Sequence, residues 1–291
     1  MAENLDLILK IAVLVFIAGT LFRLGLEIDF GSALRGLGDG IFILNAAFFG
    51  FVVGPLLAIL VSRVVPLEEP YAIGLLILSL CPCAPNLPST VVKAKGDASH
   101  GLAMLIVGVA GTMIALPVLV PLIVPGLSVE PAAIAGPVLL LVMAPLVLGM
   151  ASRRVAPGLV SAFEPPVRIA VAIAALAFLV LVVIVFGEGF LLSVGKFATL
   201  ALVLFLGGLT AISYRFGLGL AQDKRSVIAL GLGSRNVGAA LAPLVATTAI
   251  DQRAIVMVAL SIPVMIVLGP VSAALFARRS GQISPPEGGA T

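Results

Sequence analysis

The stretch from Leu80 to Asp97, LCPCAPNLPSTVVKAKGD, constrains the fold of this chain more than any other. It lies in an otherwise apolar sequence and carries three prolines within seven residues, Pro82, Pro85 and Pro88. Each proline lacks a backbone N–H and clashes with the carbonyl four residues earlier, so a regular helix cannot run through the stretch. At membrane depth, the freed backbone groups must be buried in protein or line a wet cavity. The stretch therefore predicts either a broken helix that builds a substrate site or a kinked span without a binding role.

Composition places the chain in a membrane. Its 291 residues are 61% hydrophobic and 11% charged, with a mean hydropathy of +1.25, whereas soluble domains carry about 25% charged residues. The apolar residues form blocks of about 20 residues, the length of a spanning helix. The lipid bilayer is thus an expected partner. Nucleic acid is not expected, because the basic residues lie between the blocks, and the oligomeric state stays open.

The blocks predict an all-α integral membrane protein with nine spans, of which the third and eighth are interrupted. The spans are placed at 6–24, 41–62, 71–92, 99–124, 133–151, 168–186, 194–214, 226–249 and 254–276. Interrupted spans five apart run in opposite directions, which is typical of an inverted repeat. We expect a single transporter domain over 1–279, with repeat one at about 1–126 and repeat two at about 127–279. Residues 25–40 are expected to be interfacial, and residues 280–291 a disordered cytoplasmic tail.

Loop charges predict the orientation. Eleven basic residues fall on one side: Arg35, Lys93, Lys95, Arg153, Arg154, Arg168, Arg215, Lys224, Arg225, Arg278 and Arg279. Only Arg63, Lys196, Arg253 and Lys10 belong to the other. Basic loops stay in the cytoplasm, so we expect a multi-pass protein of the inner (plasma) membrane with the N-terminus outside and the C-terminus inside.

The second interruption is the segment 230–240, LGLGSRNVGAA. Gly233 and Gly238 weaken the helix there, and glycine tolerates the conformations that a crossover requires. Arg235 is the only basic residue squarely within a span. A guanidinium at that depth is costly and needs carbonyls, water or an anionic ligand. It is therefore either a capped structural arginine or a group that binds a substrate anion or replaces a bound cation.

These segments resemble the bile acid:sodium symporter family. The likeness is carried by Cys81-Pro82-Cys83, followed after twelve residues by Gly96-Asp97, and by the later run Gly-Ser-Arg-Asn-Val-Gly-Ala-Ala at 233–240. The run from Phe16 to Phe30 also looks similar to the family's first core-proximal helix and the loop after it. The resemblance implies a core of two crossed, broken helices beside a panel of supporting helices, with alternating access between them.

The sodium ligands that the resemblance implies are largely replaced. Leu87 and Pro88 stand where the family has Ser-Asn, and Gly101 and Leu105 where it has hydroxyls. At the second crossing, Gly231 replaces a glutamate and Arg235 a glutamine, whereas Asn236 and Gly238 are retained. The coupling ion, Na⁺ or H⁺, stays open, and we expect transport that does not require sodium at the usual sites.

The resulting site prediction has three parts. Substrate binding is assigned to Arg235, Asn236, Ser234, Asn86 and Ser89, although Asn86 or Ser89 could equally cap the second half-helix. The helix breaks are assigned to Pro82, Cys83, Pro85, Pro88, Gly233 and Gly238. His100 is either a proton relay or a solvated interfacial histidine, and Lys93 either reaches a vestibule or is a cytoplasmic anchor.

The leading functional hypothesis is a secondary transporter of a small organic anion. An arsenite or metalloid efflux permease is one alternative, because Cys83 stands where those permeases have a cysteine. A non-transporting membrane sensor is the other. No nucleophile–base set or metal cluster is visible in the sequence, so neither an enzyme nor a cofactor is expected.

Overall fold

The structure is a computed structural model that describes residues 2–27, 35–123, 136, 139–185, 197–246 and 250–283. The all-α prediction is confirmed for these residues, which form helices, turns and one isolated backbone bridge. The helices are α1 (Ala2–Glu27), α2 (Gly40–Phe48), α3 (Gly54–Val64), α4 (Glu69–Ser79), α5 (Leu87–Lys93), α6 (Ala98–Ile123), α7 (Ala144–Val155), α8 (Pro157–Val185), α9 (Ala198–Phe216), α10 (Gln222–Leu232), α11 (Val237–Ala246) and α12 (Ala254–Ile283).

Six helical segments among the described residues are long and apolar enough to cross a membrane. They are Leu7–Glu27, Gly40–Val64, Ser99–Leu122, Ala162–Val185, Ala198–Phe216 and Ala254–Arg279. Their outer faces carry exposed apolar side chains such as Leu44, Leu122 and Leu176. Apolar surface on that scale is suited to lipid contact rather than to water. The chain is therefore a multi-pass membrane protein.

The other three predicted spans do not form single long helices within the described residues. The third span is divided between α4 and α5, and the eighth between α10 and α11. The fifth is described only in part: α7 and the π-helical turn Leu139–Met143 before it are present, whereas 133–135, 137 and 138 lie outside the described residues.

Two of the predicted boundaries are wrong. Helix α1 continues to Glu27, three residues into the segment predicted to be interfacial, and residues 28–34 lie outside the described part of the chain. Helix α12 continues to Ile283, so the first four residues of the predicted tail are helical. No proline lies between Pro270, which is inside α12, and Pro285. Helical geometry is disfavoured for the residue before a proline, so the helix can continue as far as Ile283. Residues 284–291 are outside the described set.

Two π-helical turns relieve proline clashes inside membrane-length segments. The turn Phe49–Val53 leads into α3 and the turn Leu139–Met143 into α7, and each is followed by a proline, Pro55 or Pro145, at the start of the helix. Proline cannot donate to the carbonyl four residues earlier and crowds it. A turn widened by one residue gives that carbonyl room without ending the helix.

Helix α1 packs along α7 and α8 and also contacts α11, whereas α4, α9, α10 and α12 pack around the two helix breaks. Gly25 of α1 and Gly149 of α7 allow a close approach of their backbones, because a Cβ atom on Gly149 would overlap the carbonyl oxygen of Phe22. Small residues at such a contact are a common way for membrane helices to pack. Helix α1 thereby links the α7–α8 pair to the broken helices.

Candidate functional site

Two unwound segments cross and pair through their backbones. Helix α4 ends at Ser79 and α5 begins at Leu87, while α10 ends at Leu232 and α11 begins at Val237. Between these ends, Pro82 and Arg235 form an isolated antiparallel bridge. Both interruptions that the sequence predicts therefore lie between helices, and they meet.

The pairing satisfies backbone groups that the breaks release. The amide of Cys83 donates to the carbonyl oxygens of Gly231 and Ser234, each at 3.0 Å, and the amide of Asn236 donates to the carbonyl of Cys81 at 2.9 Å. The Ser234 hydroxyl accepts from the amide of Ala84 at 3.1 Å. Buried donors without such partners would be costly. Each segment thus completes the hydrogen bonding of the other.

The strained residue at the crossing is a cysteine. Cys83 has a φ of 71°, in the left-handed region that favours glycine. Gly233 instead has an ordinary φ of −76°. The expectation that Gly233 supplies an unusual backbone conformation is therefore wrong. Its small size is needed because a Cβ atom there would overlap the hydroxyl of Thr210.

The three prolines have different places. Pro82 forms the bridge to Arg235, and Pro85 lies in the turn between the half-helices. Pro88 lies in the first turn of α5, where a missing N–H costs nothing. Pro88 therefore starts the second half-helix rather than breaking it.

Arg235 is the largest fully buried side chain among the described residues, with 1% of its surface exposed. Its Nη1 donates to the carbonyl oxygen of Ser79 at 3.1 Å, at the end of α4. Its guanidinium carbon lies 4.7 Å from the ring centroid of Phe205 on α9. Its backbone amide contacts the sulfur of Met265 on α12 at 3.0 Å. Helices α4 and α9 thus hold the guanidinium, and α12 contacts the backbone of Arg235.

One edge of the guanidinium has no partner. Nε and Nη2 of Arg235 are buried and make no hydrogen bond to any described residue. None of the ion pairs within the described part of the chain includes Arg235. These two nitrogens lie side by side on one edge of the planar group. Their parallel N–H bonds match the two oxygens of a carboxylate.

The neighbours of Arg235 support the second half-helix. The Oδ1 atom of Asn236 accepts from the amide of Ala239 at 3.1 Å, which caps the start of α11. Gly238, which the sequence pattern assigns to the helix break, instead lies within α11. It packs against Ile17 of α1, where a Cβ atom would stand 3.4 Å from the Ile17 Cα. The segment that carries Arg235 therefore also forms the contact between α11 and α1.

The profile of the sodium bile acid symporter family matches residues 13–194, which is more than half of the chain. The chain belongs to the sodium bile acid symporter family. Members of this family are transporters. The match includes the first helix break but ends before the second, so Arg235 lies beyond the matched residues. A search of curated proteins found no match to this chain.

Two residues predicted to bind substrate in this family member are exposed. Asn86 occupies the position before α5, but its side chain makes no capping hydrogen bond. Its carbonyl instead accepts from the hydroxyl of Ser89 at 2.8 Å. Lys93, at the end of α5, is also exposed. Asn86, Ser89 and Lys93 therefore lie in or beside α5 and are exposed, whereas Arg235 is buried.

His100 is buried, with 7% of the residue exposed. The interpretation of His100 as a solvated interfacial histidine is therefore wrong. Its Nδ1 lies 2.8 Å from Oδ2 of Asp97, and its Nε2 lies 3.3 Å from Oδ2 of Asp39. Lys224 Nζ donates to the same Asp39 oxygen at 2.6 Å. We refer to Asp39, Asp97, His100 and Lys224 as the His100 junction.

The carboxylates of the junction are helix caps. Asp39 accepts from the amide of Phe42 at the start of α2, and Asp97 accepts from the amide of Ser99 at the start of α6. The hydrogen bond from Lys224 lowers the pKa of Asp39 to about 2. Burial raises the pKa of Asp97, but the hydrogen bonds from Ser99 and His100 outweigh burial and lower it to about 2. Both groups are carboxylates at neutral pH.

Proposed function

We propose that this family member is a secondary transporter of a small organic anion that works by alternating access. The observation that carries the proposal is the buried guanidinium of Arg235 with one free edge at the crossing of two broken helices. In transporters, unwound segments of this kind build substrate sites near the bilayer midplane. A fixed positive charge there favours an anion.

The proposed membrane architecture has nine spans, with the N-terminus outside and the C-terminus in the cytoplasm. Support for this number comes from the six long helices, and the proposal adds the two divided spans and the partly described segment that contains α7. The antiparallel pairing of the two breaks agrees with an inverted repeat, in which the third and eighth spans are equivalent.

The proposed chemistry uses the free edge of Arg235. The bond to Ser79 and the ring of Phe205 hold the plane of the group, so Nε and Nη2 can receive an anion without losing side-chain freedom. The edge is buried in this structure. Binding therefore requires the surrounding helices to separate, which is the conformational change that alternating access provides.

Sodium is not required in this proposal. A sodium ion needs several oxygen ligands, and the positions that resemble the family's sodium sites hold Leu87, Gly101, Leu105 and Gly231, which have no side-chain oxygen. Arg235 stands at another such position and supplies a charge that cannot dissociate. The guanidinium replaces the ion, and a different gradient drives transport.

The test measures anion binding and uptake separately. Purified protein is screened by thermal shift against monocarboxylates, dicarboxylates, sulfonates and a bile acid, with sodium or choline as the cation. Hits are then measured as uptake into proteoliposomes for wild type, Arg235→Ala and Arg235→Lys. Arg235→Ala should weaken binding by roughly ten- to a hundredfold, the cost of a charge-assisted hydrogen bond at a desolvated site. Lysine restores the charge without the planar edge and should rescue only in part.

Arg253 provides the matched control. It is an arginine 50% exposed that pairs with Asp251 and Glu68, away from the crossing. Arg253→Ala should bind and transport like wild type. Strictly sodium-dependent uptake by wild type would contradict the proposed replacement of the ion. An Arg235→Ala protein with unchanged affinity would remove the proposed anion site.

A further inference from the structure

The His100 junction joins three helix starts that are far apart in sequence. Asp39 caps α2, Asp97 caps α6, and Lys224 lies in the first turn of α10, the first half of the second broken span. The bond between Lys224 and Asp39 crosses 185 residues of chain, and the contact between His100 and Asp39 crosses 61. Asp39 therefore connects the histidine to the broken helix.

The stereochemistry of the imidazole makes the junction depend on a proton. Both ring nitrogens of His100 face carboxylate oxygens, and an ionised carboxylate can only accept. The protonated ring donates from both nitrogens, whereas the neutral ring can donate from one. The contact to Asp97 is the shorter, at 2.8 Å against 3.3 Å to Asp39. Loss of the proton therefore breaks the link to Asp39.

The imidazole itself is largely shielded from water, whereas Asp39, Asp97 and Lys224 are partly exposed. The edge of the Phe42 ring packs against the imidazole, with centroids 4.7 Å apart, and 9% of the His100 side chain is exposed. The charged groups that contact one another at the junction are Asp39, Asp97 and Lys224. The hydrogen bond to Asp39 raises the pKa of Lys224, and the charge of Asp223 adds to this effect. The positive charge of a protonated His100 compensates the negative charge of Asp97, and Lys224 compensates that of Asp39.

We infer that His100 is a proton-binding site that fastens the start of α10 to α2 and α6. In the protonated state the four groups form one connected network. In the neutral state Asp39 keeps Lys224 and the amide of Phe42 but loses His100, and the start of α10 is freer to move relative to α6. The inference goes beyond the transport proposal and does not depend on Arg235. On the proposed orientation the site faces the cytoplasm, so the pH there sets the mobility of the second broken helix.

The direction of the effect follows from the protonation state. The additional bond is present while both ring nitrogens of His100 carry a proton, and it is lost when the ring gives one of them up at higher pH. Asp39 and Asp97 are ionised at both pH 6 and pH 8 because their pKa values are about 2. His100 is the only histidine in the chain, so no other histidine contributes.

The test is hydrogen–deuterium exchange on the full-length protein at pH 6 and pH 8, with exchange times corrected for the intrinsic effect of pH. In wild type, the first bonded amides of α10, at residues 225–229, should exchange about fivefold faster at pH 8, the equivalent of one charged hydrogen bond at a partly exposed site. Amides 257–261 of α12 should show no difference and serve as the internal reference. In His100→Gln, the difference at α10 should disappear.

Lys224→Met removes the bond to Asp39 through which His100 is connected to α10. The pH dependence should be lost at α10 but kept at the first bonded amides of α2, at residues 43–46, because His100 still contacts Asp39. Retention of the wild-type pH dependence at α10 by either variant would overturn the inference. Equal exchange of the α10 amides at pH 6 and pH 8 in wild type would by itself overturn the inference.

Discussion

The guanidinium carbon of Arg235 lies 4.7 Å from the centroid of the Phe205 ring, with both side chains fully buried or nearly so. The arginine lies at the crossing of the two helix breaks, and the phenylalanine lies on α9. The neighbour of the guanidinium on α9 is therefore an aromatic ring rather than a carboxylate. An aromatic face attracts a cation without neutralising it. The charge of Arg235 is therefore not neutralised by the ring, and it stays available to the proposed anion.

Phe205→Leu tests how much the ring contributes. We expect a loss of about 1–2 kcal/mol in stability, because a desolvated cation–π contact is lost while the apolar volume is largely kept. The matched control is Phe216→Leu, in which an exposed phenylalanine lies 5.7 Å from Arg215 and should be close to neutral. Thermal unfolding in detergent gives both values. Equal effects of the two substitutions would show that the contact at Arg235 is not special.

Gly149→Ala should disrupt the contact between α1 and α7. The added methyl group would overlap the carbonyl oxygen of Phe22, and backbone cannot move aside as a flexible side chain can. We expect a destabilisation of about 1–3 kcal/mol, as for overpacking of a core. Gly207→Ala is the control, because a Cβ atom at Gly207 meets nothing within 4 Å, and alanine favours helix by up to about 1 kcal/mol. Melting temperatures that fall in both variants would contradict the specific clash.

Cys83→Ser separates the anion and metalloid hypotheses. The thiol of Cys83 is buried and donates to the carbonyl of Met104 at 3.4 Å, a bond that a serine hydroxyl can replace. Anion uptake should therefore stay within about threefold of wild type. The second measurement is the arsenite resistance of cells that express each protein. Resistance conferred by wild type and abolished by Cys83→Ser would support metalloid efflux instead.

Acid should loosen the His100 junction. The pKa of Asp39 falls from 3.8 to about 2 because it accepts from Lys224 and Phe42. A lowered carboxyl pKa contributes stability that is present above about pH 4 and lost as the pH falls toward 2. Asp39→Asn should lower the melting temperature at pH 6 and flatten its dependence on pH between 4 and 2. A variant with the same acid dependence as wild type would show that another carboxylate controls it.

The helix breaks could be predicted from the sequence because their causes are local. Pro82 and Pro85 cannot continue α4, and the glycines around Arg235 weaken the helix that ends at Leu232. The buried arginine could likewise be selected, since a lone basic residue in an apolar span is conspicuous. These features depend on residue type and position alone.

The partners at the site could not be predicted, because they come from distant parts of the chain. Nothing in the sequence around Phe205 or Met265 marks either residue as a neighbour of Arg235, 30 residues or more away. Asp39 was missed for the same reason: its residue type predicts a helix cap, which it is, but not a contact with His100. Single sequences indicate which groups need partners but not which residues supply them.

The backbone pairing of the two helix breaks also affects the order in which the protein can assemble during synthesis. The amide of Ala84 reaches its acceptor on Ser234 only after a further 150 residues have been synthesised. At about 5–20 residues per second, the first broken span waits for roughly 10–30 s without its partner. During that time its free backbone groups need water or a helper at the site of insertion. The central crossing can therefore form only after most of the chain has been synthesised.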